Sequence, residues 1–419
     1  MAFDQGLSGL NAAATELDVI GNNIANAGTV GFKASKMQFA DVYARALGGG
    51  GSSSVGIGVS SAKVWQHFSQ GTITSSNNPM SMAVSGNGFF RLSDNGTIGY
   101  TRDGQFHLDP KGAIVTSSGA NVQGYLANEN GILNTGVTTN LVINSANLPP
   151  KLTGTVKTVL NLDSGAAVLS PAAFDSTNPA TYTYSTSVAV YDSLGNDHSL
   201  QTYYVNKGIV PPATEAQWDV FATMDGTPVG FTPPAAPVPV GTFSFTSAGT
   251  LDPASSVDIP VSFPFTNGAT SPQAITVSYA GTTQFGTASS VNSLSQDGFA
   301  SGQLTQFSTG PDGVITGTYS NGQTQALGQI VLNSFVNPGG LDPAGNNMWL
   351  ASSSSGEPIL GTPGIGDMGS VQANSVENST TDLTAELVKM ITAQQNYQAN
   401  AQTIKAANQM SQTLVNLRN

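Results

Sequence analysis

The two ends of the chain carry a helical repeat that its middle lacks, and this contrast restricts the folds open to it. Between residues 1 and 26, apolar or small side chains recur at alternating intervals of three and four, at Leu7, Leu10, Ala14, Leu17, Gly21 and Ile24. Between 382 and 419 a similar stripe is formed by Leu383, Leu387, Met390, Tyr397, Ala401, Ile404, Ala407, Leu414 and Leu417. This spacing is typical of the seam between two packed helices. The sequence therefore predicts two terminal helices that pair.

Both predicted helices have an unusual polar surface. Charged residues make up 9% of the whole chain, against roughly a quarter in an average soluble protein, and from 394 onward Asn and Gln fill most polar positions. Amides and alanines permit close helix contact on several faces, and isolated helices of this kind are marginal in water. We therefore expect each helix to pack against neighbouring subunits as well. The hydroxyl of Thr380 or Thr381 is the expected N-cap of the second helix.

The middle of the chain shows short β-type runs that alternate with turn dipeptides. Between 83 and 148 the runs cover 88–92, 105–108 and 121–126. The turns between them include Asn-Gly at 95–96 and Asp-Gly at 103–104, which supply the positive φ of tight hairpins. Residues 149–299 add a hairpin over 187–205, and the pattern resumes over 300–350 with a strong strand over 328–335.

These patterns predict a mainly β fold class with α-helical termini, in which the terminal helices pair and a second β domain is inserted within an inner one. The Gly- and Ser-rich residues 48–60 have the composition of a flexible joint. The predicted segments are an N-terminal helix over 1–30, a connector over 31–78, the first part of the inner β domain over 79–148, the inserted outer β domain over 149–296, the return part of the inner domain over 297–370, and a C-terminal helix over 371–419.

Composition and motifs exclude several classes of function. The net charge of −12 with 13 Lys and Arg argues against a nucleic-acid partner, and the absence of cysteine excludes thiolate chemistry. No P-loop, dinucleotide fingerprint or zinc-protease motif occurs, and the polar run 192–198 is better interpreted as a hairpin turn than as a calcium loop. We therefore expect no enzyme activity, catalytic residue, metal or cofactor. Neither a signal peptide nor an apolar run long enough for membrane insertion is apparent.

The two ends also carry recognisable motifs. The N-terminal one lies within 6–33 and the C-terminal one within 382–405 and 413–418, with further similarity at 85–90, 297–299 and 328–335. These stretches resemble the bacterial flagellar rod and hook proteins, the hook proteins in particular. The motif residues are Asn22, Asn23, Asn26, Gly31, Phe32, Lys33, Gln394, Asn396, Asn400 and Gln402.

The resemblance implies a structural subunit that assembles into a curved helical tube, a universal joint carrying torque from rod to filament. It implies that the terminal helices form the inner tube, packed through Leu7, Leu10, Leu17, Ile24, Leu383, Leu387, Met390, Tyr397, Ile404, Leu414 and Leu417. It further implies an extracellular location in the flagellum, reached through the type III export gate without cleavage, with Phe3 and Leu7 as export contacts. The implied partners are other copies of the chain, rod proteins, the hook cap and the hook–filament junction protein.

Two alternatives remain open at this stage. One is another flagellar axial protein, of the distal rod or the hook–filament junction, which would form a straight or short assembly. The other is a secreted β-rich adhesin, which would be a stable monomer with an aromatic groove.

Overall fold

The computed structural model describes residues 2–42, 56, 58–144, 146–211, 215–230 and 236–416. Within these ranges the fold is mostly β, with 43% strand and a helix at each end, α1 (Ala2–Ala25) and α2 (Leu383–Asn416). The predicted fold class is therefore confirmed. Most of the predicted joint over 48–60, part of the proline-rich run 231–239 and Leu417 lie outside the described residues. Among the helices described, none is both long and apolar enough to cross a bilayer.

The chain divides into two compact units. Unit 1 comprises 1–145, 306–318 and 324–419, and unit 2 comprises 146–305 with 319–323. The predicted inserted domain covered 149–296, whereas unit 2 begins at 146, extends to 305 and also includes 319–323. The six-segment division itself stays a prediction.

Unit 1 combines the helix pair with a hairpin and a large sheet. Its first strands are β1 (Ser35–Val42), β2 (Gly58–Gln66), β3 (Ile73–Ser75), β4 (Met82–Ser85), β5 (Phe89–Asp94), β6 (Thr97–Thr101), β7 (Phe106–Leu108), β8 (Ile114–Thr116), β9 (Asn121–Leu126) and β10 (Thr139–Asn140). Strands β1 and β2 form an antiparallel hairpin beside α1. Strands β3 and β4 pair antiparallel with two strands that precede α2, Ser375–Glu377 and Ser370–Ala373, respectively.

Unit 2 contributes the next ten strands. They are β11 (Thr155–Asp163), β12 (Tyr184–Tyr191), β13 (Asp197–Gly208), β14 (Ala216–Met224), β15 (Thr227–Pro228), β16 (Gly241–Phe245), β17 (Asp258–Phe263), β18 (Gln273–Ser278), β19 (Thr283–Phe285) and β20 (Ser290–Gln296). They form two five-stranded sheets, one around β11 and one around β14. Short 3-10 helices cover Pro171–Ala173 and Pro179–Thr181. Trp218, Tyr204 and Phe243 lie fully buried in the core of this unit.

The chain then completes unit 1. The remaining strands are β21 (Leu304–Thr309), β22 (Val314–Tyr319), β23 (Thr324–Ile330), β24 (Leu332–Ser334), β25 (Asp342–Gly345), β26 (Met348–Leu350), β27 (Ile359–Gly361), β28 (Ser370–Ala373) and β29 (Ser375–Glu377), and Pro338–Gly340 forms a 3-10 helix. The main path of the large sheet runs β21-β22-β23-β9-β5-β6-β26-β25. An aromatic cluster of Phe89, Tyr100, Phe335 and Trp349 packs against it.

Two local predictions were wrong. The strand expected over 328–335 is divided, because β23 pairs with β22 and β9 whereas β24 pairs with β5 and β27. Asp103-Gly104 is not a positive-φ hairpin turn, unlike Asn95-Gly96, whose φ values are 49° and 91°. Gly104 instead lies so close to the Met82 carbonyl that a Cβ would be 1.5 Å from its oxygen. The glycine there permits close approach of two backbone segments.

Candidate functional site

Two glycines of α1 approach α2 closely, Gly6 beside Ile404 and Gly9 beside Asn400. Gly6, Ala12, Ala13 and Ala393 are buried. A Cβ at Gly6 would lie 2.9 Å from Cγ1 of Ile404, so the glycine lets the two helices approach closely.

Of the larger apolar residues expected in the seam, Ile404 meets Gly6, and none whose side chain is described is fully buried. Leu10, Leu17, Ile24, Met390 and Ile404 are half-buried. The exposed ones are Leu7 (42%), Leu383 (48%), Leu387 (45%) and Tyr397 (38%). The side chain of Leu414 is not described. The role of these residues in subunit packing stays a prediction.

An outer stripe on α2, defined as Leu383, Leu387, Val388 and Ile391, is exposed to solvent. Val388 is 60% exposed and Ile391 57%, and neither belongs to the predicted packing residues. Positions 383, 387 and 391 are four apart and so share one face of the helix, whereas Ala393 and Glu386 on another face are buried. This apolar stripe has no partner among the described residues of its own chain that would remove it from water.

Asn23 connects both helices to the β1–β2 hairpin. Its Nδ2 donates to the Ser35 carbonyl at 2.7 Å and to Oε2 of Glu386 at 3.2 Å, and its Oδ1 accepts from the Ser35 amide at 2.9 Å. Asn23 is 1% exposed and Glu386 5%. A buried polar group without a hydrogen bond lowers the stability of a protein, and the Asn23 amide supplies such bonds to the Glu386 carboxylate and to the Ser35 backbone. The neighbouring Asn22 and Asn26 act locally, since Asn26 Nδ2 donates to the Asn22 carbonyl.

The N-cap of α2 differs from the prediction. Oδ1 of Asp382 accepts from the amides of Thr384 at 2.9 Å and Ala385 at 3.1 Å. The Thr380 hydroxyl accepts instead from the Ala34 amide. A carboxylate is also favoured at this end by the helix dipole.

A buried ionic cluster lies where the chain leaves α1 and returns toward α2. This cluster, the Glu377 node, consists of Glu377, Lys33 and Arg102. Nζ of Lys33 donates to Oε1 of Glu377 at 2.6 Å, and Nη1 of Arg102 donates to Oε2 at 3.2 Å. The side chain of Glu377 is 0% exposed, that of Lys33 1% and that of Arg102 7%.

Backbone groups make further hydrogen bonds with the node, whereas Nε of Arg102 is buried without a hydrogen-bond partner among the described residues. Lys33 donates to the Ser69 carbonyl at 2.7 Å, Arg102 Nη2 donates to the Gly86 carbonyl at 2.8 Å, and the Gly71 amide donates to Glu377 at 2.7 Å. Burial lowers the pKa of Lys33, and the nearby Glu377 carboxylate opposes that change. The node thereby joins the outgoing chain, the returning chain and the β sheet.

The other motif residues lie in different surroundings. Gly31 has φ +72°, and a Cβ there would be 2.6 Å from the Asp103 nitrogen. Phe32 is buried, and its carbonyl accepts from the Thr380 amide. In α2, Asn400 lies beside Gly9, while Gln394, Asn396 and Gln402 are exposed.

Sequence reasoning missed Glu377 and Arg102 as organising residues. The available signal was their rarity, because a chain with 9% charged residues places few of them within β-type runs. Pairing between positions 33 and 377 depends on the fold and has no local pattern.

Four family models match the chain. They are the flagella basal body rod protein over 3–33, the D1 domain of flagellar hook protein FlgE/F/G over 83–156, the flagellar basal body protein FlaE D2 domain over 161–299, and the flagellar basal body rod FlgEFG protein C-terminal region over 372–417.

Relatives match over the whole length. The chain is 40% identical to the flagellar hook protein FlgE of Escherichia coli K12, with 100% of both chains covered. It belongs to the flagellar hook protein family. The corresponding protein of Salmonella typhimurium LT2 is 39% identical, again with 100% of both chains covered. These relatives support the hook prediction over the rod, junction and adhesin alternatives.

The fold agrees with a solved hook structure. The Helicobacter pylori flagellar hook protein FlgE2 matches with a TM-score of 0.54 and 16% identity, covering 73% of this chain and 100% of that one. As a full-length member of the hook protein family, the chain is a structural protein of the flagellum, outside the cell. Within the described residues no group of three or more His, Asp or Glu is arranged to hold a metal ion.

The small-residue seam leads to a testable prediction. Gly6→Val is expected to destabilise the helix pair by about 1–3 kcal/mol, because the added methyl groups must displace Ile404. The matched control is Gly21→Val, since a Cβ at Gly21 meets nothing within 4 Å and valine has a better helix propensity than glycine. Thermal unfolding followed by far-UV circular dichroism measures both. Equal stability of the two variants would contradict the close-contact argument.

Proposed function

We propose that the chain is the repeating subunit of a curved helical tube, which acts as a universal joint transmitting torque from the flagellar rod to the filament. The observation that carries this proposal is the outer stripe on α2, because four apolar side chains on a helix already paired with α1 need a further surface to cover them. A head-to-tail contact that does not close into a ring produces an open helical assembly. We assign that surface to the terminal helices of neighbouring copies.

Torque transmission requires that the helix pair move with the β part of the same unit. The Glu377 node supports this role, since it joins the segment after α1 and the strand before α2 to Arg102 of the sheet by buried ion pairs. Bending requires contacts between copies that tolerate small displacements. The scarcity of charge, 9% of residues, favours such contacts because few directional ion pairs must break as the tube turns.

The remaining parts of the proposal concern transport and partners. The chain leaves the cell unfolded through the type III export gate without loss of a leader, and Phe3 and Leu7, which are 43% and 42% exposed, supply apolar export contacts. Rod proteins, the hook cap and the hook–filament junction protein are its partners at assembly. The function is structural and requires no catalytic residue, cofactor, nucleic acid or membrane insertion.

Electron microscopy of the purified full-length chain under polymerising conditions tests the proposal. Curved hollow tubes with the terminal helices on the inside are expected. Straight rods would favour the rod alternative, and a protein that stays monomeric at high concentration with fully protected terminal helices would overturn the proposal. Hydrogen exchange of the amides in 3–25 is measured before and after assembly, and their protection should increase as the N-terminal helix becomes ordered.

A further inference from the structure

A second cluster of ionisable groups lies in unit 2. Nδ1 of His198, at the start of β13, lies 2.6 Å from Oδ2 of Asp225, and its Nε2 lies 3.4 Å from Oδ2 of Asp192. The Asp192 side chain is fully buried and the His198 side chain is 14% exposed, whereas Asp225 is 51% exposed. The imidazole thus bridges the turn after β12 and the turn after β14.

The loop over 264–272, between β17 and β18, packs on this cluster. The Phe265 ring stacks on the His198 ring with centroids 4.3 Å apart. Nδ2 of Asn267 donates to Oδ2 of Asp192 at 2.6 Å, and the Thr270 amide donates to the Ser193 hydroxyl at 2.8 Å. Because β17 and β18 belong to one sheet of unit 2 and β12 to β14 belong to the other, these contacts hold the two sheets together at one end.

Carboxylates are the charged groups that face the imidazole. The turn after β12 supplies Asp192 and the turn after β14 supplies Asp225, while the loop over 264–272 contains no titratable residue. A cavity of about 520 Å³ adjoins the cluster, and of the residues that line it His198 and Asp225 titrate. The adjacent Asp197 is exposed on the same strand. The local field therefore favours a proton on His198.

We propose that His198, Asp192 and Asp225 form a proton-dependent latch that holds the loop over 264–272 against the turn over 192–196. The latch is closed when the imidazole is protonated, because the imidazolium donates to both carboxylates at once. Loss of the proton removes one donor and the charge that balances the two acids. The loop then opens more often, and this end of unit 2 becomes less rigid at alkaline pH.

The direction of the pH dependence follows from the contacts. Burial alone would lower the pKa of His198, but the hydrogen bonds and charges of Asp225 and Asp192 outweigh it and raise the pKa above the usual 6.5. The stabilisation is therefore fully present below about pH 6.5 and is lost as the pH rises through the folded-state value. The pKa of Asp225 lies below its usual 3.8, so the carboxylates keep their charge until strongly acidic pH.

Hydrogen exchange on the full-length chain tests the latch. Amides in 264–272 are compared at pH 5.5 and 8.5 after correction for intrinsic exchange, and protection should fall at the higher pH. If the pKa of His198 is one unit higher with the loop closed than with it open, the equilibrium constant for loop opening changes by about tenfold between the two pH values. In His198→Gln this dependence should vanish, because glutamine donates a hydrogen bond but does not titrate.

The matched control is His107→Gln, in unit 1, where the histidine is exposed on β7. This variant should keep the pH dependence of the loop. The latch is overturned if the loop of the unmodified chain is equally protected at both pH values, or if His198→Gln keeps the dependence. Where His198→Gln does not fold, an NMR titration of the unmodified His198 ring decides, since a pKa at or below 6.5 rejects the latch.

Discussion

Replacing Glu377 by glutamine is expected to lower the free energy of unfolding of unit 1 by about 3–5 kcal/mol. The substitution leaves Lys33 and Arg102 buried without a counter-charge, and burying an uncompensated cation is expensive. The neutral amide retains the shape of the side chain, so the loss reports the missing charge rather than a cavity. Native-state hydrogen exchange of β5 amides measures unit 1, while β13 amides report unit 2 in the same sample.

An exposed ion pair supplies the control for this prediction. Lys151 and Asp297 lie 3.2 Å apart with side chains 54% and 39% exposed. Lys151→Gln should change stability by less than about 1 kcal/mol, because water screens exposed pairs. If Glu377→Gln lowers the free energy of unfolding no more than Lys151→Gln does, the Glu377 node does not stabilise the junction between the segment after α1 and the strand before α2. The proposed route of torque through it would then be wrong.

Ile391→Asp is expected to raise the critical concentration for tube formation at least about 100-fold. Covering an apolar side chain contributes about 1.5–3 kcal/mol, and a carboxylate at the same contact adds a desolvation cost; each 1.4 kcal/mol is tenfold in affinity. Ile391 is 57% exposed in the single chain, so monomer stability should change by no more than about 0.5 kcal/mol. Sedimentation of polymerised material and thermal unfolding of the monomer measure the two effects.

The conservative variant Ile391→Leu separates apolar contact from general damage to the helix. Leucine keeps the size and hydrophobicity of the side chain, so its critical concentration should stay within a few-fold of the unmodified value. Tubes that form from Ile391→Asp at the unmodified concentration would show that the outer stripe is not covered in the assembly. Another surface would then have to carry subunit contact.

The sequence predicted that the two terminal segments are helices, but it did not predict which residues form the contact between them. Spacing of three and four revealed that both ends are helical, and the structure has α1 and α2 there. Spacing alone does not distinguish a seam within one chain from a seam between chains, since both use the same period. In the structure Gly6 and Gly9 lie close against α2, while larger residues such as Leu387 are exposed.

The turns were predictable where their cause is local in sequence and were not predictable where it is distant. Asn95-Gly96 was predictable because positive φ is a property of the dipeptide itself. Gly104 was misinterpreted because the Met82 carbonyl, which requires a residue without a Cβ there, is 22 positions away in sequence. The division of 328–335 into β23 and β24 was likewise hidden, since a continuous apolar run does not reveal which neighbours pair with it.

The sequence by itself determined the helical ends, the β-rich middle and, through the motifs at 6–33 and 382–405, the family. These depend on local periodicity, turn chemistry and residue identity, which act over a few positions. Only the tertiary structure decided that Lys33 meets Glu377, that Asn23 meets Glu386 and that His198 lies between two aspartates. Such pairs join positions far apart or on different strands, and their energy arises from burial, which exists only once the chain has folded.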